Sequence, residues 1–253
     1  MLKKYSGQLG DFEYDDTQYT IVKDDDGEYC HYVGSEMKNV PSPPVGLRDY
    51  TGLYMGTDIE NPVVIENGVK RTNSMYADCQ KLKIGSYIPD SVEEEDFMYD
   101  GCINLESIPN FSKNSVSLKA TCANCYNLRQ LPPIPGKAID CDSIALNCES
   151  LEGPVEIEEG VKRISYGFAG CHSLGEAVRL PKSIEESECV FENCRWDNDF
   201  GELNELDSSG FVEAYIDESQ LSPRTLSKES KQAMAAAIAP DVSIDNYEAT
   251  IGR

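Results

Sequence analysis

Cys79, Cys102, Cys125, Cys148, Cys171 and Cys194 stand 23 residues apart with no insertion between them. Five equal intervals mean that the chain lays down one short unit again and again. Neighbouring columns keep the same ruler. Three residues after each cysteine come Leu82, Leu105, Leu128, Leu151 and Leu174, until Asp197 breaks the series. Nine after come Ile88, Phe111, Ile134, Ile157 and Leu180, with Ile65 in the same place one unit earlier. Ten before lie Val69, Val92, Ser115, Ala138, Val161 and Ile184, and three before lie Tyr76, Tyr99, Cys122, Ala145, Phe168 and Phe191. A 23-residue coil cannot bury its own apolar side, so such coils must stack and share a core.

The residue before each cysteine is Asp78, Gly101, Asn124, Asn147, Gly170 or Asn193. These types tolerate a left-handed backbone or a tight turn, which predicts a fixed corner in every coil. Each coil should add one short strand and a tight return. Parallel pairing would set neighbours about 4.8 Å apart and make the cysteines one ladder. Pro89, Pro135 and Pro181 follow the apolar residue at a strand end, where a missing backbone donor costs least. Cys122 and Ala145 replace aromatics, with Cys141 close by in sequence, so the core is expected to be thinnest there. Lys70-Arg71 align with Glu93-Glu94, and Lys162-Arg163 with Glu185-Glu186. These predict exposed ion ladders that help to fix register, each pair worth at most about 1 kcal/mol.

The segments SMYADCQKL (74–82), FMYDGCINL (97–105) and IEEGVKRISYGFAGCHSLGEAVRLPKSIEESECVFENC (157–194) share an aromatic-x-x-Cys-x-x-Leu signature. In this the chain resembles the cysteine-bearing bacterial leucine-rich repeats called BspA-like, over roughly residues 59–200. The resemblance implies a right-handed, slightly curved solenoid used in protein recognition, often on bacterial surfaces or in adhesion. The spacing from the Ile-Pro corner to the aromatic is shorter here than in the commonest family repeat. The family carries no catalytic motif, so the resemblance supplies no site residues.

Lys and Arg total 22 against 45 Asp and Glu, for a net charge of −23. Such a surface repels phosphate backbones and anionic membranes, which argues against nucleic acid and membrane insertion and favours a protein partner with a basic surface. Six of the ten cysteines belong to the ladder, where their Cβ vectors run side by side, so buried reduced thiols are expected rather than disulfides. Zinc is the sharper alternative: Cys122-x-x-Cys125 has ligand spacing, with Cys141 and Cys148 following. The ladder and the aromatic column already account for Cys125, Cys148 and Cys122, and no metal or cofactor is expected. No apolar run follows Met1-Leu2-Lys3-Lys4 and none is long enough to span a bilayer, which predicts a cytoplasmic chain, or a cell-surface one if a leader has been lost.

Outside the repeat, Tyr19-Thr20-Ile21-Val22 and Tyr29-Cys30-His31-Tyr32-Val33 flank Asp24-Asp25-Asp26-Gly27 and predict a β-hairpin. The aspartate run lacks the alternation and distal glutamate of a calcium loop. Val40-Pro41-Ser42-Pro43-Pro44-Val45 reads as an extended connector. The expected organisation is a hairpin cap and connector over 1–58, a leucine-rich-repeat solenoid over 59–216, and a helix and tail over 217–253. The helix is placed at 224–239 on its alanine, lysine and glutamine content, with Ser227 as cap and Pro240 as stop. The chain has two histidines, His31 and His172, in different modules, and shows no nucleophile motif, phosphate loop or metal triad. The expected function is therefore a non-catalytic protein-binding scaffold, or else a surface, adhesion or spacer component. Glu156, Glu158 and Glu159 flank Ile157 at a coil edge, where alternate side chains point outward, and form the candidate partner-binding face.

Overall fold

A computed structural model describes residues 1–24, 27–174, 178 and 180–194. Two antiparallel hairpins open the chain: β1 (Leu2–Gly7) pairs with β2 (Gly10–Asp15), and β3 (Tyr19–Asp24) with β4 (Gly27–Tyr32). The second is the hairpin that the Asp-Gly run announces, closing Asp24 on Gly27. The first was not anticipated. It folds because Gly10, at φ 121°, supplies the backbone sign its tight reversal needs.

From Asp49 onward the described residues run as stacked coils. Parallel bridges join Asp49 to Arg71, Arg71 to Glu94, Glu94 to Ser117, Ser117 to Asp140, Asp140 to Arg163, and Arg163 to Glu186. A coil that precedes residue 59 thus belongs to the stack, and Tyr54 lies in the same column as Tyr76, their rings 5.7 Å apart. The coils hold single-residue bridges and turns in place of the expected short strands. The reason lies in the backbone bonds. Between Thr72 and Cys79, the amides of Met75, Ala77 and Cys79 close turns on the carbonyls of Thr72, Ser74 and Tyr76. The alternate amides of Thr72, Ser74, Tyr76 and Asp78 donate to Glu94, Asp96, Met98 and Asp100 of the next coil. Half the donors wind the coil and half bind the stack, so little buried backbone polarity is left unpaired.

This winding needs left-handed residues. The corner column supplies one set: Asp78, Gly101, Asn124, Asn147, Gly170 and Asn193 all have φ between 57° and 75°. A second set, four residues earlier, carried no sequence signal: Ser74, Phe97, Ala120, Ser143, Tyr166 and Cys189, with φ between 49° and 57°. Each such non-glycine residue costs about 1–2 kcal/mol, offset here by the two directions of backbone bonding.

The columns make the core. Leu82, Leu105, Leu128, Leu151 and Leu174 are all fully buried, as are Ile88, Ile134, Val69, Val92 and Val161. Ile157 and Ile184 are only partly buried. At the amino-terminal end β4 closes the stack: the Tyr32 amide donates to Leu53 (2.7 Å) and the Tyr32 ring packs on Tyr54 at 5.5 Å. Trp196, the terminal degenerate coil and the expected helix within 217–253 lie outside the described residues.

Candidate functional site

The cysteine ladder is explained at atomic level. Each thiol donates to the carbonyl of the aromatic-column residue one coil back: Cys79 to Tyr54, Cys102 to Tyr76, Cys125 to Tyr99, Cys148 to Cys122, Cys171 to Ala145 and Cys194 to Phe168, at 3.0–3.1 Å. The same Tyr76 carbonyl also accepts the Cys79 amide within its own coil. The thiol thus reaches a second lone pair that no backbone donor meets, while remaining apolar enough to be buried. All ten cysteines are free. Burial pushes the Cys79 thiol up to about 11 and the Cys148 thiol up to about 12, so both stay protonated donors. Among the described residues no three His, Cys, Asp or Glu converge as a metal site. The Cys141 thiol of the zinc alternative points instead at the Ala138 carbonyl (3.6 Å).

The outer surface is set by two further backbone ladders. Along one, each amide donates to the carbonyl one coil back through Lys70, Glu93, Val116, Ile139, Lys162 and Glu185, at 2.8–3.0 Å. Its side chains point outward and change chemistry from coil to coil. Lys70 pairs with Glu93 at one end, and Lys162 with Glu185 (2.7 Å) at the other. Between them Val116 and Ile139 are about half exposed, at 47% and 51%. The second ladder joins Lys83, Glu106, Arg129 and Glu152, alternating in sign, with Lys83 on Glu106 at 3.6 Å.

Only one pair of each predicted ion ladder forms as expected. Arg71 turns back to Asp49 (2.8 Å) rather than forward to Glu94, and Arg163 turns back to Asp140 rather than to Glu186. Asp49 and Asp140 are the more deeply set acids, and an arginine fork gains more from a fixed carboxylate than from an exposed, mobile one.

The three candidate glutamates separate in role. Glu158 accepts the Gly136 amide (3.0 Å) from the coil before, and Glu159 accepts the Lys182 and Ser183 amides (both 3.2 Å) from the coil after. Both carboxylates are exposed, yet both staple coils together. Glu156 is exposed, and its backbone carbonyl takes the Ile134 amide (2.9 Å). It shares a column with Val64, Tyr87, Asn110 and Pro133, where Val64 and Tyr87 are 62% and 41% exposed. His172 is exposed beside the ladder.

Neither a protein-family model nor a curated protein matches the chain. Two solved structures resemble it. One is a leucine-rich repeat protein from Bacteroides ovatus ATCC 8483, 18% identical, TM-score 0.45, covering 72% of this chain and 52% of that one. The other is the leucine-rich repeat protein of T. pallidum, 18% identical, TM-score 0.37, covering 80% of this chain and 98% of that one. The chain spans about half the length of the Bacteroides ovatus protein it matches. Among the described residues no helix is long and apolar enough to cross a membrane.

Proposed function

We propose that the chain is a protein-binding scaffold, a BspA-like right-handed solenoid that does no chemistry and meets its partner through outward side chains. One observation carries this reading. The backbone ladders repeat from coil to coil, while the side chains they project run from ion pair through Val116 and Ile139 to ion pair. A fixed frame with variable exposed columns suits recognition by shape and charge. The charge of −23 favours a basic partner and faster encounter with it. Within the candidate face, Glu156 is the residue to test, since Glu158 and Glu159 serve the stack.

The test is affinity capture with the whole chain, followed by association kinetics on the captured protein. Association is expected to slow as salt rises, and Glu156→Lys to weaken binding several-fold while leaving the unfolding midpoint unchanged. A partner whose affinity ignored both salt and this change would remove electrostatics from the reading. Turnover of any substrate by the purified chain would overturn its non-catalytic character.

A further inference from the structure

Glu95 is fully buried, in a column otherwise filled by Thr72, Leu118, Cys141 and Ile164. Its Oε1 accepts the Ser112 amide at 2.8 Å. Ser112 stands where the adjacent coils carry Pro89 and Pro135, so this donor exists because the proline is missing. Its Oε2 is buried without a hydrogen-bond partner. The Ser115 hydroxyl lies beside the carboxyl, where it and the Ser112 amide favour the ionised form, but its hydrogen bond of normal length goes to the Ser117 carbonyl (3.0 Å). The titratable groups acting around Glu95 are Asp96 next to it, Tyr99 in its own coil and Cys122 from the coil after, and none brings positive charge. Cys122 replaces an aromatic there, and the carboxyl sits over the part of the core that the sequence marks as thin. A carboxylate at this place would be desolvated with one oxygen unmet. A carboxylic acid fits, with its hydroxyl directed to the Ser115 oxygen.

We propose that Glu95 is a proton-operated latch between the Cys102 and Cys125 coils: it closes the seam as the neutral acid, and loss of its proton opens it. Burial outweighs the Ser112 and Ser115 hydrogen bonds, which pull the other way, and pushes the carboxyl up to about 8, against about 4.3 for a solvated glutamate. The sign follows. The closed form holds the proton more tightly than the unfolded chain, so its contribution is fully present below the ordinary glutamate value. It is lost as pH rises towards about 8. Within that window each pH unit weakens the closed form by up to about tenfold relative to a chain without the acid.

The test compares the whole wild-type chain with Glu95→Gln, whose amide replaces the acid's donor and cannot ionise. Urea midpoints of the two are expected to diverge steadily from mildly acidic to mildly alkaline pH, the wild type losing ground. Amide exchange at Ser112 should rise with that loss, beyond its increase in the variant. Infrared spectra of the wild type should show a buried protonated carboxyl at neutral pH that fades in alkali, a readout that stands even if the variant fails to fold. Parallel midpoint profiles, or no protonated carboxyl at neutral pH, would overturn the latch.

Discussion

At the scale of the residue, the ladder cysteine is a hydrogen-bond donor of a particular reach. Cys148 is fully buried and caps the Cys122 carbonyl at 3.1 Å, where the Cys125 amide arrives at a longer 3.4 Å. Cys148→Ser shortens the side chain and buries a hydroxyl that cannot reach as well, so a loss of about 1–3 kcal/mol is expected by urea unfolding. Cys148→Ala should cost less than Cys148→Ser if the unmet hydroxyl outweighs the lost S–H bond. Thiol titration should find the ladder slow to react until denaturant is added. The corner column was legible because Asp, Asn and Gly advertise a left-handed backbone. The second left-handed column was not, because Phe97, Ala120 and Tyr166 prefer other conformations, and only the stack's own bonds hold them there. The roles of Glu158 and Glu159 were hidden for a like reason. A carboxylate that catches an amide 22 or more residues away depends on where that amide points.

At the scale of the element, the coil is held by its columns and closed by its hairpin. Leu128 and Ile134 are fully buried, and Leu128→Ala and Ile134→Ala should each cost about 2–5 kcal/mol. Losses near zero at both sites would mean that the columns do not carry the fold. Tyr32, 2% exposed, joins β4 to the first coil by its ring and its backbone. Tyr32→Ala should cost about 3–5 kcal/mol, the range for a large buried aromatic. Faster amide exchange should appear first at Gly52, Tyr54 and Gly56, whose amides bind the following coil. Uniform exchange along the stack would argue against an end cap. The β3–β4 hairpin was readable from its turn residues. The coil interior was misread as strand because apolar spacing reports which side chains face inward, and a ribbon of turns can present the same inward set.

At the scale of the whole molecule, the repeat made the stacking legible and left the surface pairing open. Backbone ladders set by a fixed period follow from sequence, since every coil obeys the same constraint. Surface pairing does not, and the arginines show why. Arg71 and Arg163 each had an acid one coil ahead and one coil behind, and the choice fell on the better-fixed acid, which only packing decides. The same limit explains why a net charge of −23 does not convert into a list of surface contacts.

The tyrosine column also makes the molecule its own optical probe. Tyr54, Tyr76 and Tyr99 lie nearly parallel, with interplanar angles of 12° and 8° and centroids 5.7 and 5.6 Å apart, whereas the far end stacks Phe168 on Phe191. Chromophores held so close and so aligned share their excitation, and the coupling vanishes once neighbouring coils separate. The tyrosine band of near-ultraviolet circular dichroism therefore reports docking of the amino-terminal coils, and the phenylalanine fine structure that of the Cys171 and Cys194 coils. Unfolding from one end would be seen as two colours fading at different times, without any label attached.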